Sequence, residues 1–147
     1  MVEFTLRPAA EADAPAIREL IHRVGINPTG LDWGRFVLAL DSGGRMLGCG
    51  QLKPHGSDVV ELASLAVLPK YQRQGIGGAL IRHLIATGPR PLYLICRSGL
   101  GPLYEKYGFR VLSLDEMPRY FRRMAQLAGL AAALRRLDET LLVMKLK

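Results

Sequence analysis

The stretch Tyr71-Gln72-Arg73-Gln74-Gly75-Ile76-Gly77-Gly78-Ala79-Leu80 places three glycines at the opening of a segment with helical spacing. An interior glycine weakens a helix by about 0.5–1 kcal/mol relative to alanine, so three together ask for a compensating role. The segment follows "DVVELASLAVLP", Asp58 to Pro69, which reads as an apolar strand ended by proline. It continues into "GIGGALIRHLIATG", where Ile76, Leu80, Leu84 and Ile85 form an apolar helical stripe. Strand, glycine turn and helix N-terminus together make an anion site, because the first N–H groups of a helix lack intrahelical partners and the dipole is positive there. Two familiar phosphate loops are excluded. No lysine follows as GxxxxGK[ST] requires, and Leu80 stands where GxGxxG needs its third glycine. The plain alternative is that small residues let the helix pack closely on a sheet.

Working outward, "VEFTLRPA" alternates as a strand, and "AEADAPAIRELIHRVG" reads as a helix capped by Asp13, with Pro15 early and Gly25 as its stop. Its apolar positions are Ile17, Leu20, Ile21 and Val24. "INPTGLDWG" is a loop, and "RFVLALD" and "RMLGCGQLK" are strands joined across "SGG" as a hairpin. Beyond the glycine turn come a short buried strand "LYLIC", a helix over "GPLYEKYG", a strand from Phe109 to Leu112, a helical segment around Met117 to Arg136, and a last strand "TLLVMKL". A hairpin followed by alternating helices and strands predicts an α/β fold of the α+β kind. The expected form is one domain over residues 1–147, with a mixed, mostly antiparallel sheet of about seven strands flanked by helices.

The chain has 147 residues, 49% of them hydrophobic and 22% charged, the composition of a folded protein with a substantial core. Cys49 and Cys96 are too few for a disulfide framework and show no metal-ligand spacing, so reduced thiols in a cytoplasmic protein are expected and no metal site. The first residues lack the apolar run of a signal peptide, and no stretch reaches the roughly 18 apolar residues of a membrane span. A net charge of +7 favours an anionic partner. The basic residues are scattered and no basic run carries interleaved aromatics, which argues against a nucleic-acid module.

The segment Gln72-Arg73-Gln74-Gly75-Ile76-Gly77 resembles the Q/R-x-x-G-x-G/A pattern of the GNAT superfamily of N-acetyltransferases, and it follows a strand ending in "VLP" as it does there. "LYEKYGF", Leu103 to Phe109, resembles a second segment of the same enzymes at a typical distance downstream. The resemblance covers most of the chain. It implies acetyl-CoA as donor and acyl transfer to an amine, with the main chain of Gln72, Arg73, Gln74, Gly75, Ile76, Gly77 and Gly78 holding the pyrophosphate. It also implies that Leu65, Ala66 and Val67, on a bulged strand, face the pantetheine arm and polarise the thioester through main-chain N–H groups.

Acyl transfer from a thioester to an amine needs an uncharged nucleophile, a donor for the oxyanion and an acid for the departing thiolate. Tyr104 matches the tyrosine that protonates the thiolate in many relatives; the alternative is a core aromatic beside Tyr107 and Phe109. Glu61 precedes Gln72 by 72 − 61 = 11 positions, which is the place of the catalytic glutamate in histone-acetylating relatives. It is the candidate base, directly or through water, unless it faces solvent or only orients a basic substrate. Arg97 stands seven positions before Tyr104, where many relatives use asparagine to bond the pantetheine arm. An arginine there can reach a phosphate or carbonyl. Cys96 has no histidine beside it in sequence, which weakens any ping-pong route, and His22, His55 and His83 read as surface or packing residues.

The chain departs from the family pattern between Leu112 and Leu141, where "SLDEMPRYFRRMAQLAGLAAALRRLDET" is inserted before the last strand. Met117, Tyr120, Phe121, Met124, Leu127 and Leu130 share one helical face, for packing on the sheet, for a lid over the acceptor, or for a homodimer contact. Arg119, Arg122 and Arg123 crowd one end, where guanidinium groups facing a cleft would favour an acceptor bearing a carboxylate. Glu61 and Asp58 instead suit a cationic amine. A small amine-bearing metabolite is the expected acceptor, with no nucleic-acid or membrane partner. Protein lysine or N-terminal amines, and a non-catalytic acyl-CoA sensor, are the alternatives.

Overall fold

The computed structural model describes residues 1–135 and 140–147, with the backbone alone over 128–135. Seven strands form one mixed sheet: β1 (Thr5–Pro8), β2 (Phe36–Leu40), β3 (Met46–His55), β4 (Val59–Val67), β5 (Leu92–Arg97), β6 (Arg110–Val111) and β7 (Leu141–Leu146). Among the described residues four helices accompany them: α1 (Ala14–Val24), α2 (Ile76–Thr87), α3 (Gly101–Glu105) and α4 (Arg119–Arg135). The strand order is β1-β2-β3-β4-β5-β7-β6. β1 to β3 pair antiparallel in sequence, β4 runs parallel to β5 with Glu61 opposite Tyr93, and β7 inserts antiparallel between β5 and β6. The expected mixed sheet of about seven strands, flanked by helices, is therefore the fold that forms. The chain divides into two compact units, Met1–Lys53 with Leu62–Gly88 and Pro54–Glu61 with Pro89–Lys147.

In the first unit, α1 buries Ile17, Leu20 and Ile21 against Phe36, Leu38 and Leu40 of β2 and Ala66 of β4. Each such aliphatic side chain contributes roughly 1.5–3 kcal/mol when fully buried. Gly25 ends α1 in the left-handed region at φ +80°, as expected of a glycine stop. Asp13 stands at the N-cap, yet its carboxylate does not cap the helix as expected. It accepts the Ala10 N–H at 2.7 Å and pairs with Arg7 at 2.8 Å, which holds it below the usual carboxylate range. The β2–β3 hairpin closes on Asp41, whose Oδ1 accepts the N–H groups of Gly43 and Arg45. On α2 the buried face is Ile76, Leu80, Ile81 and Leu84, so Ile81 takes the place assigned to Ile85. The true helical period of 3.6 carries the stripe from Leu80 and Leu84 toward Ile81.

In the second unit, Tyr93, Leu112, Phe121 and Val143 form a core cluster, with Met117 and Tyr120 packed against it. α4 is anchored there by Phe121, which is fully buried, so the inserted segment does serve as a packing element. Leu127 breaks the expected apolar face: it is 63% exposed. Leu130, Arg135 and Arg136 of the same segment lie outside the residues whose side chains are described.

Candidate functional site

The glycine loop of the first unit leaves β4 through a 3-10 turn at Pro69–Tyr71, tied down by the Leu68 N–H, which donates to the Leu47 carbonyl at 2.8 Å. Arg73 and Gly75 both have left-handed backbones, at φ +63° and +86°. Left-handed residues within a tight turn are the geometry by which main-chain N–H groups gather around an anion. Gly75 is the N-cap of α2, and the first N–H to find an acceptor inside the helix is that of Ala79, on the Gly75 carbonyl at 3.0 Å. The N–H groups of Gly75, Ile76, Gly77 and Gly78 therefore have no acceptor within α2.

Two glycines have different reasons. Gly75 needs its positive φ, which would strain any L side chain by about 1–2 kcal/mol. Gly77 is under no such demand: a Cβ there would meet only the Val67 Cγ2, at an ordinary 3.8 Å. Packing within the chain therefore does not require glycine there. The side chains of Gln72 and Gln74 are engaged elsewhere. Gln72 Nε2 donates to the Val67 carbonyl at 3.2 Å, and Gln74 Oε1 accepts the Val2 N–H at 2.9 Å. They tie the loop to Val67 and Val2.

Upstream, Ser64 sits in mid-strand at φ +56°, a left-handed non-glycine residue that breaks the pleat of β4 one position before Leu65. Such a conformation costs of order 1–3 kcal/mol and persists only where surroundings hold it. Here the fully buried Gln51 does so, donating from Nε2 to the Ser64 hydroxyl at 2.8 Å and to the Gly30 carbonyl at 3.2 Å. Cys49 Sγ lies 3.6 Å from the Ser64 carbonyl. Gln51 Oε1 is buried without a partner among the described residues. The bulge expected at "SLAV" is thus present as a kink. Of the three residues assigned to the pantetheine arm, Ala66 turns its side chain into the core while Leu65 and Val67 are half-buried.

The second unit holds the other candidates. Glu61 is not solvent-facing: its Oε1 lies 2.7 Å from His55 Nε2, and the two side chains are only 12% and 10% exposed. The His55 ring is sandwiched by aromatics, stacked on Tyr120 at 3.7 Å between centroids and met edge-on by Phe121 at 5.9 Å. Burial, and then Glu61, push the Tyr120 hydroxyl above its ordinary pKa. His55, read from sequence as a surface or packing residue, is packed against Tyr120 and Phe121 and forms half of a part-buried acid–imidazole pair. The signal lay in the β3–β4 hairpin, whose turn Gly56–Asp58 brings residues flanking it together. An open cavity of about 780 Å³ is lined by His55, Gly56, Arg119, Tyr120 and Arg123, with Met124 and Leu127 as its apolar wall.

The three arginines of the insert separate in the fold. Arg122 turns back to donate to the carbonyls of Leu114 and Met117 at 3.3 and 3.2 Å. Arg119 and Arg123, one helical turn apart, line the cavity, and neither has a carboxylate partner among the described residues.

Tyr104, on α3, is 7% exposed and meets Phe109 edge-on at 6.2 Å. Burial, then the neighbouring Cys96 and Tyr107, push its hydroxyl up to about 12. Cys96 is buried beside Met144, sulfur to sulfur at 3.8 Å, and burial pushes its thiol up to about 11, the reverse of an activated nucleophile. Arg97 ends β5 with an exposed side chain, opposite Leu141 in register. Among the described residues no group of three or more His, Cys, Asp or Glu could hold a metal ion, and no helix is long and apolar enough to cross a membrane.

Comparison with solved structures agrees with this architecture. The chain is similar to N-acetylglutamate synthase from Neisseria gonorrhoeae, solved with coenzyme A and N-acetyl-glutamate, at TM-score 0.76 and 25% identity over 100% of this chain and 36% of that one. It thus spans about a third of that synthase's length. It is similar to Rv2747 from Mycobacterium tuberculosis, solved with CoA, at TM-score 0.70 and 23% identity, with 95% of this chain and 97% of that chain covered. The ribosomal-protein-S18-alanine N-acetyltransferase from Escherichia coli matches at TM-score 0.69 and 24% identity over 98% of this chain and 93% of that one. The latter two likenesses speak to the fold alone. No curated protein sequence matches the chain. Residues 32–111 match the family described as Acetyltransferase (GNAT) domain, more than half of the 147 residues, and with the kinked β4, the left-handed loop and the bare opening of α2 in place, the chain belongs to the GNAT acetyltransferase family.

Proposed function

We propose that the protein moves an acetyl group from acetyl-CoA to the amine of a small-molecule acceptor, by direct attack with both substrates bound. The observation that carries this reading is the loop Gln72–Gly78, whose left-handed turn and unpartnered helix-opening N–H groups offer an anion site through main chain alone. Acetyl-CoA supplies the activated thioester. The loop's main chain holds the pyrophosphate, and the main chain of Leu65, Ala66 and Val67, past the Ser64 kink, positions the arm and polarises the carbonyl. Arg97 serves as an auxiliary contact to the donor.

Tyr104 acts on the leaving sulfur. A hydroxyl held at about 12 stays protonated throughout neutral pH, so it is a permanent hydrogen-bond donor. Complete transfer to a thiolate of ordinary basicity, near pKa 8.5, is uphill from there. Its role is to donate a hydrogen bond to the sulfur as the C–S bond breaks, so that the thiolate leaves ionised and the proton stays on the Tyr104 oxygen. The amine side belongs to Glu61 and its partner His55. The buried Cys96 thiol gives no support to a ping-pong route. The domain reading is one catalytic domain over residues 1–147, and two free, buried cysteines fit a cytoplasmic setting.

The test is paired. Calorimetry with acetyl-CoA reads the cradle, and thiol release across amino acids, polyamines, aminoglycosides and lysine peptides reads the reaction. Binding with turnover on a small amine supports the proposal. Binding without turnover on any amine would make the protein an acyl-CoA sensor, and a preference for lysine peptides over every small amine would make it a protein acetyltransferase. The Neisseria gonorrhoeae neighbour, solved with an acetylated amino acid, lends weight to the small-molecule choice.

A further inference from the structure

We infer that the cavity over α4 is the acceptor pocket and that it takes an amine bearing a carboxylate, with Arg119 and Arg123 holding the carboxylate and His55 receiving the amine's proton. The inference rests on the acyltransfer reading above and adds to it the acceptor's chemical class and a second catalytic residue. Three observations meet in one place. The cavity, about 780 Å³, has room for an amino-acid-sized molecule. Its lining is mostly apolar and includes Arg119 and Arg123 at i and i+4, which have no acidic partner among the described residues, and guanidinium groups match the planar geometry of a carboxylate. Its floor carries His55, whose ring is fixed by Tyr120 and Phe121 and by the 2.7 Å bond to Glu61.

The bond decides the division of labour. An ionised Glu61 can only accept, so Nε2 of His55 carries the hydrogen and Nδ1 keeps the lone pair. Glu61 is then a positioning residue, fixing the tautomer and balancing the charge that His55 acquires. The step balances as follows: the neutral amine nitrogen forms the C–N bond, the C–S bond breaks, the amine's excess proton passes to His55 Nδ1, and the sulfur leaves with a hydrogen bond from Tyr104. The groups facing His55 are Glu61 from β4 and Arg119, Tyr120 and Arg123 from α4. The two cations at the rim also disfavour a cationic acceptor that lacks a carboxylate.

The experiment compares amino acids with their carboxamides and their decarboxylated amines, by calorimetry and by thiol release, in the wild-type chain and in Arg119→Ala/Arg123→Ala. The expected result is binding and turnover of the acids alone, with affinity lost roughly 10-fold or more per arginine removed. His55→Gln should lower kcat about 100-fold or more at neutral pH with unchanged acid binding, and recover in part at high pH as the amine loses its own proton. Glu61→Gln should lower kcat while leaving acid affinity intact. Arg-dependent binding of acids without turnover would overturn the acyltransfer reading and leave the carboxylate pocket standing. Turnover of carboxamides or simple amines, unaffected by the arginine pair, would overturn the pocket and leave acyltransfer standing. Full kcat in His55→Gln would overturn the proton acceptor.

Discussion

The loop Gln72–Gly78 and the cavity bounded by His55 and α4, the two anion sites we propose, are built by opposite means. The loop offers backbone N–H groups, shaped by left-handed residues at 73 and 75, while its glutamine side chains are spent on holding it in place. The cavity offers side chains, those of Arg119, Arg123, His55 and Tyr120 beside an apolar wall, set on a helix and a hairpin. A site made of main chain is sensitive to whatever blocks it and indifferent to most side chains. A site made of side chains is sensitive at each residue it uses.

The sharpest way to break this contrast is Gly77→Glu. The position has no positive φ and room for a Cβ, so the fold should survive. A carboxylate placed over the opening of α2 should still cut acetyl-CoA affinity by roughly 100-fold or more, as like charge and bulk replace an anion site. Calorimetry beside circular dichroism reads both. Gly75→Glu is the poorer probe, because it adds backbone strain at φ +86° to the blocked site.

Tyr104→Phe comes next. Removing the hydroxyl while keeping the ring packed on Phe109 should lower turnover by about 10–100-fold with donor affinity unchanged, provided chemistry limits the rate. An unaltered rate under those conditions would hand the sulfur's hydrogen bond to water.

Gln74→Ala sharpens the main-chain side of the comparison. It deletes the 2.9 Å bond to Val2, so stability should fall by about 0.5–1.5 kcal/mol in denaturant titration. Donor affinity should change little, and a large loss would mean that the amide itself touches the ligand. The smallest effect belongs to Arg122→Ala. Its guanidinium serves Leu114 and Met117, so acceptor affinity should match the wild type within measurement error, in contrast with its neighbours at 119 and 123.

How legible each region was follows from its construction. The loop was legible because a tight turn constrains residue type locally: glycine at position 75 where φ is positive, further glycines at the opening of the helix, and a proline-ended strand before them. The helix of the first unit was read through the same local logic at Gly25. Asp13 was misread because two competing partners, Arg7 and the Ala10 N–H, were closer to its carboxylate than the helix it precedes. His55 was read as a surface or packing residue, which its place against Tyr120 and Phe121 bears out, but its pairing with Glu61 was not foreseen. Nothing in its immediate neighbours distinguishes it, and its meaning comes from Glu61 across a hairpin and Tyr120 from a helix 65 positions along, since 120 − 55 = 65.

By itself, the sequence determined the strand and helix order, the glycine turn that opens α2 and the family, because each is written in contiguous residues whose backbone preferences and periodicities act over a few positions, while the kink near Leu65 was expected only from the family resemblance. Tertiary structure alone decided which two of the three arginines line a cavity, that Glu61 is paired, half-buried and not solvent-facing, and that Cys96 is too deeply packed to ionise readily. Those properties depend on burial and on partners from distant segments. Charge, proton affinity and direction of a side chain are set by what folding brings against it, and no local pattern carries that information.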